Sequence, residues 1–137
     1  MMKYGVSLLL FPMTFLAPAV AGAEIPADID QAFQHYAELP DKLVPILASA
    51  VDKASADAAA DSLFRTLPSL YDSQEELRKW KSLPPELAPA IREKYEQRLR
   101  TGWGEVYQQI FRLQKARCFD SLPFFRQFQT MCRMLES

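Results

Sequence analysis

Apolar residues recur at helical spacings along most of this chain, and most regularly between residues 86 and 117. Leu99, Trp103, Val106, Ile110 and Leu113 are separated by four, three, four and three positions, which places them on one side of an α-helix. Leu87, Ile91 and Tyr95 continue the stripe backwards. Pro84 and Pro85 close whatever precedes, and Pro89 is expected to set the start of the long helix. A helix of this kind cannot bury its stripe alone, so the other segments must cover it. At its middle Trp103 stands between Gly102 and Gly104. Each glycine costs a helix about 1 kcal/mol relative to alanine, so the site needs a reason. The expectation is a close helix crossing with Trp103 in the core. The alternative is a break that offers Trp103 to a partner, with Arg98 and Arg100 nearby as candidate partner-binding residues.

The remaining segments repeat the same periodicity with proline punctuation. Ile29, Phe33 and Tyr36 or Ala37 predict a helix over 27–38, ended by Pro40. Leu43, Ile46, Leu47, Ala50 and Val51 predict a second over 41–52, with Asp41 as its cap and Pro45 in its first turn. Ser55 can cap a third, whose stripe runs through Leu63, Leu67 and Leu70. Pro68 interrupts it, so this helix either kinks there or stops and restarts near Ser73. Asp120 or Ser121 can cap a last helix carrying Phe124, Phe128, Met131 and Leu135. Nothing alternates with period two, no hairpin dipeptide occurs, and the chain holds only four glycines. The fold class is therefore all-α: a small helical bundle of four to six helical segments, several kinked at prolines, forming one domain over 24–137.

The first 23 residues belong to a different pattern. Lys3 precedes the apolar run VSLLLFPMTFL, and Ala21-Gly22-Ala23 supplies small residues at a cleavage site. This is the order of a secretory signal peptide. An uncleaved anchor is the alternative, but Pro12 and Pro18 interrupt a stretch that is marginal for the ~20 residues a bilayer needs. The protein is expected to be secreted or periplasmic, with no stable membrane span after cleavage. Charge is uneven in the rest: residues 24–61 hold eight acids and two bases, whereas 62–137 hold nine acids and thirteen bases. An acidic front lying across a basic back explains this without an anionic partner.

The residues able to do chemistry are few. His35 is the only histidine, which leaves catalytic triads, Cys–His pairs and most zinc sites nearly out of reach. His35 and Glu38 could form one corner of a metal site, but no second His exists to complete it, and a structural role is the expectation. Cys118 and Cys132 are the only cysteines, and in an oxidising compartment they are candidates for a disulfide. On one straight helix they would stand about 21 Å apart, so the bond requires the chain to turn between them. Met131 and Met134 beside Cys132 raise a Cu(I) site, but core packing explains them better. Arg92, Lys94, Arg98, Arg100, Arg112, Lys115 and Arg117 interleave with Tyr95, Trp103 and Tyr107. Export argues against nucleic acid, and Glu93, Glu96 and Glu105 suggest a solvated, ion-paired face. No phosphate loop, zinc-protease motif, serine elbow or haem motif is present, so no catalytic residue, cofactor or metal ligand set is assigned.

Two stretches carry a resemblance. Asp52-Lys53-Ala54-Ser55-Ala56-Asp57-Ala58-Ala59 resembles a segment of small exported helical proteins of bacteria that lack an assigned activity. Arg112-Leu113, followed by Ala116, Phe119, Asp120-Ser121 and Leu122, looks like their C-terminal pattern, in which an aromatic-Gly-Ser turn opens the last helix. Here Asp120 stands where glycine would be expected, and Cys118 is additional. The resemblance implies a helical exported domain without known chemistry. The expected function is non-enzymatic binding of another macromolecule, most simply a protein, in the cell envelope or outside the cell. A periplasmic stress-type chaperone or a metal-responsive helical protein is the alternative.

Overall fold

A computed structural model describes residues 24–137, and the expected signal peptide lies outside the described residues. Four α-helices make up nearly all of it: α1 (Ala27–Ser49), α2 (Lys53–Arg78), α3 (Ala88–Lys115) and α4 (Leu122–Glu136). Single 3-10 turns, Pro85–Leu87 and Arg117–Asp120, lead into α3 and α4. There is no strand among the described residues, so the architecture is the all-α bundle that the periodicity predicts.

Contacts between named residues fix the topology. His35 of α1 meets Glu76 of α2, and residues 50–52 join the two helices at the opposite end, so they run antiparallel. Asp30 meets Lys94, and Leu47 meets Arg112, so α3 runs parallel to α1. Asp57 meets Ser121, and Gln74 meets Met134, so α4 runs parallel to α2. The order across the bundle is α3, α1, α2, α4; the outer helices α3 and α4 do not pack along each other. One large core holds Leu43, Leu47, Leu63, Leu70, Val106, Leu113, Phe124 and Met131, all buried. A smaller cluster of Ile29, Ala37, Leu87, Ile91 and Tyr95 sits at the far end, where Trp80 and Leu83 hold the connection from α2 to α3.

Two helix boundaries differ from the sequence expectation. Pro40 does not end the first helix: α1 continues through both Pro40 and Pro45. Pro40 has no N–H to offer the carbonyl of Tyr36, four residues back. The indole Nε1–H of Trp103 on α3 donates to that carbonyl instead, at 3.2 Å. The Trp103 ring stacks on Tyr36 with centroids 4.7 Å apart. Pro40 itself is fully buried, and a Cβ added at Gly102 would lie 3.0 Å from its Cγ. The proline is therefore tolerated because α3 brings a replacement donor and a bare backbone to the same spot. Trp103 is only 8 % exposed, which is the packing alternative for the Gly102-Trp103-Gly104 stretch. Gly102 has its reason in Pro40; Gly104 faces open space, and nothing in the structure explains it.

The second difference is in α2. Its cap is Asp52 rather than Ser55, which occupies the third helical position. The Ser55 N–H donates to Asp52 Oδ1 at 2.8 Å, and the Asp52 N–H donates to Ser55 Oγ at 3.0 Å. This reciprocal pair satisfies two orphan donors at once. The helix then passes Pro68 without restarting, and Ser73 is buried inside it. At the other end of the chain Pro89 lies in the first turn of α3, as the sequence suggests, and of the two candidate caps for α4, Asp120 and Ser121, it is Ser121 that caps.

At the far end α1 and α3 are tied by Asp30, which accepts from Lys94 at 2.8 Å and from the Tyr95 hydroxyl at 2.5 Å. These hydrogen bonds, Lys94 first, hold the Asp30 carboxyl below its ordinary value. Burial, followed by the bond to Asp30, pushes the Tyr95 hydroxyl upwards. The Asp52 carboxyl is likewise lowered by the Ser55 backbone N–H.

Two outcomes follow for stability. Trp103→Phe should destabilise by about 1–3 kcal/mol, the cost of leaving a partly buried carbonyl without its donor. Pro40→Ala restores an N–H, so it should be less harmful in the Trp103→Phe background than alone; urea denaturation of the four variants in a double-mutant cycle checks this. A carboxyl with a depressed folded value stabilises above its unfolded value and loses that contribution as pH falls through the folded value. Acid titration by circular dichroism should therefore show stability lost below about pH 4, and Asp30→Asn should flatten part of that loss.

Candidate docking groove

The feature that separates α3 from α4 is the turn between them. Arg117, Cys118, Phe119 and Asp120 have φ of 54°, 51°, 54° and 59°, a left-handed turn built without glycine. L-residues disfavour this by about 1–2 kcal/mol each, so neighbouring contacts must hold it. Cys118 is buried, 1 % exposed, under the turn. The Phe119 ring lies 5.9 Å from the Arg112 guanidinium, which itself donates to the Leu47 carbonyl at 2.9 Å. The hydroxyl of Ser121, fully buried, donates to the Asp57 carboxylate and accepts the Phe124 N–H. Asp57 thereby pulls the start of α4 onto α2. Asp120 sits in the conformation that a glycine adopts without strain, and aspartate is among the few other residues that tolerate it.

Because α4 is drawn to α2, side chains rather than close-packed backbones cover the seam between α3 and α4. A cleft of about 420 Å³ opens beside the turn, lined by Leu113, Arg117, Cys118, Leu122 and Phe125 among others. A second, of about 280 Å³, lies further along and is lined by Tyr107, Phe111, Cys132, Leu135 and Glu136 among others. Gln114 borders both, so the two form one strip. Four large apolar side chains stand out along it: Phe111 is 70 % exposed, Leu122 56 %, Tyr107 47 % and Phe125 43 %.

The residues singled out from sequence fall elsewhere. Trp103 is in the core and presents almost no surface. Arg98 lies 3.8 Å from Asp41, beside a polar groove between α1 and α3. Arg100 pairs with Glu96, and neither arginine lines the apolar strip. Other members of the basic row are also engaged, Lys94 with Asp30 at 2.8 Å and Arg92 with Glu96 at 3.9 Å. Lys115 and Arg117 make no ion pair among the described residues.

The disulfide expected between Cys118 and Cys132 is not formed: both thiols are free. The chain does turn back after Cys118. The left-handed turn, however, holds that thiol under the first cleft, while Cys132 borders the second, further along α4. Burial, with Cys132 adding, pushes the Cys118 thiol up to about 11. Burial and then the Glu136 charge raise Cys132 as well. His35 does not join Glu38; its Nδ1 lies 3.0 Å from Glu76 Oε1, while Glu38 accepts from Gln34. Among the described residues no group of three or more His, Cys, Asp or Glu side chains could hold a metal ion. Met131 is buried in the core, and Met134 packs against it. No helix of the described residues is long and apolar enough to cross a membrane.

Apolar periodicity picks out the buried stripes, and the strip lies beside them. The signal was nevertheless there: Tyr107, Phe111, Leu122 and Phe125 are apolar residues off the 99–113 and 124–135 stripes. An apolar residue outside the buried face of an amphipathic helix marks either a second contact or an exposed patch.

No family model matches the chain, and no curated protein or solved structure matches it either.

Cys118 should stay protonated through neutral pH and resist iodoacetamide in the folded protein, while half-buried Cys132 reacts faster. Mass spectrometry after timed alkylation at about pH 8 reads the difference, which denaturant should abolish.

Proposed function

We propose that the chain is an exported, non-enzymatic interaction module whose docking face is the strip between α3 and α4. The observation that carries this is the exposure of Phe111, Leu122, Tyr107 and Phe125 over two adjoining clefts. Side chains of these types bury roughly 150–250 Å² when covered, so together they leave an apolar area of several hundred Å² in water. Monomers rarely keep a contiguous patch of that size without a use for it. A groove between two helices also suits a protein partner better than a small substrate, because it offers apolar cover along its length and few convergent polar groups. The partner's large side chains would enter the clefts, with Phe111 as the central anchor. Export rests on the charged, apolar and small-residue order of residues 1–23.

A chaperone draws on the same exposed apolar surface, but it would bind many unfolded clients rather than one. Photo-crosslinking in the producing cell separates the two. A benzophenone side chain at Phe111 should give one or a few discrete adducts, and the same probe at Arg65, on an exposed face of α2, should give none. A continuous smear of adducts at 111, with suppression of client aggregation in vitro, would replace docking by chaperoning. Equal adducts at 65 and 111 would remove the strip from consideration.

A further inference from the structure

We infer that α4 is an exchangeable element: two copies of this chain trade their last helices, each α4 seating on the α2 of the other copy. The first ground is the backbone of the connection. Arg117, Cys118, Phe119 and Asp120 all hold left-handed φ, between 51° and 59°, and none is glycine. L-residues visit this region singly, and a run of four is disfavoured at every position. The strain exists only while the chain doubles back to lay α4 on its own α2. An opened connection runs in extended or right-handed backbone, so exchange releases the strain in both copies at once.

The second ground is where α4 is held. Its polar ties run to α2: Ser121 donates to Asp57, and Gln74 donates to the Met134 carbonyl at 2.8 Å. Its Phe124, Phe128 and Met131 sit in the large core. In an exchanged pair each α4 meets the same surfaces on the other copy, so all these contacts are remade. They cancel from the balance between closed and exchanged chains, and the connection decides it against the cost of bringing two bodies together. Residues 116–121, extended, span about 20 Å, twice the spacing of packed helices. Opening gives up only local contacts: Cys118 loses its burial, and Phe119 its place on the Arg112 guanidinium. Arg117 and Asp120 are exposed and make no ion pair among the described residues, so they lose nothing. The exchange uses core surfaces and is independent of the strip between α3 and α4.

Refolding the mature chain from urea at low and at high micromolar concentration, followed by size-exclusion chromatography, tests this. The high concentration should yield a dimer fraction. Isolated monomer and dimer should interconvert slowly in native buffer and fast near the urea midpoint, because α4 must leave the core to exchange. Iodoacetamide should label Cys118 in the dimer and spare it in the monomer. Arg117→Gly with Asp120→Gly relieves the turn at two exposed positions and should lower the dimer constant about a hundredfold. Asp120→Val, a β-branched residue that a left-handed φ rejects, should raise it about tenfold. Phe111→Glu should leave it unchanged. A chain monomeric at every concentration overturns the exchange. A dimer that dissociates at once on dilution, keeps Cys118 protected, or ignores the two glycines overturns it as well. A dimer lost in Phe111→Glu is an association through the strip; it overturns the exchange and leaves the docking reading standing.

Discussion

The carbonyl of Tyr36 has no partner on its own helix, because Pro40 has no N–H to give it. Trp103 supplies the missing donor from α3. That one hydrogen bond explains several features together. It lets α1 run through a proline that would otherwise break it. It requires α3 to come close, which Gly102 permits by leaving room for the Pro40 ring. It buries the indole against Tyr36, with its polar edge satisfied. Arg112 acts similarly further up, donating to the Leu47 carbonyl near the end of α1. The parallel pair α1–α3 is thus fastened by α3 side chains that complete α1's backbone.

The other parallel pair is fastened at its two ends. Ser121 of α4 is held by Asp57 near the start of α2, and Gln74 reaches the Met134 carbonyl near the end of α4. The left-handed turn is the cost of joining two pairs that are each tied internally. Its unfavourable backbone is offset by the buried Cys118, the Ser121 network and the contact of Phe119 with Arg112. The open seam between α3 and α4 has the same origin: α4 follows α2 and α3 follows α1, so among the described residues the outer helices share core side chains without close backbone contact. The apolar strip is therefore a consequence of how the bundle is fastened, and it leaves Phe111, Tyr107 and Phe125 exposed along the gap.

Much of this was legible from residue spacing. The stripes at 99–113 and 124–135, the long helix beginning near Pro89 and the Ser121 cap needed only local periodicity and capping chemistry. The errors share a cause. Pro40 signals a helix end because a proline's missing hydrogen bond is visible locally, whereas its replacement comes from a residue 63 positions away. Two lone cysteines in an exported chain suggest a pair, and the pair requires a turn, but the handedness of that turn decides where each thiol goes. Trp103 could be assigned to the core, yet the Arg98 and Arg100 associated with it found acidic partners of their own.

By itself, then, the sequence determined that the described chain is helical, which face of each helix is buried, and that histidine and cysteine are scarce, one and two residues. These follow from properties within a few residues of one another: apolar period, caps and composition. The tertiary structure decided how the helices are paired, that α1 survives its prolines, that both thiols stay apart, and which apolar residues remain in water. Those outcomes depend on groups brought together across the bundle, such as Trp103 with Tyr36 and Asp57 with Ser121, and no local pattern encodes which partner a helix will meet.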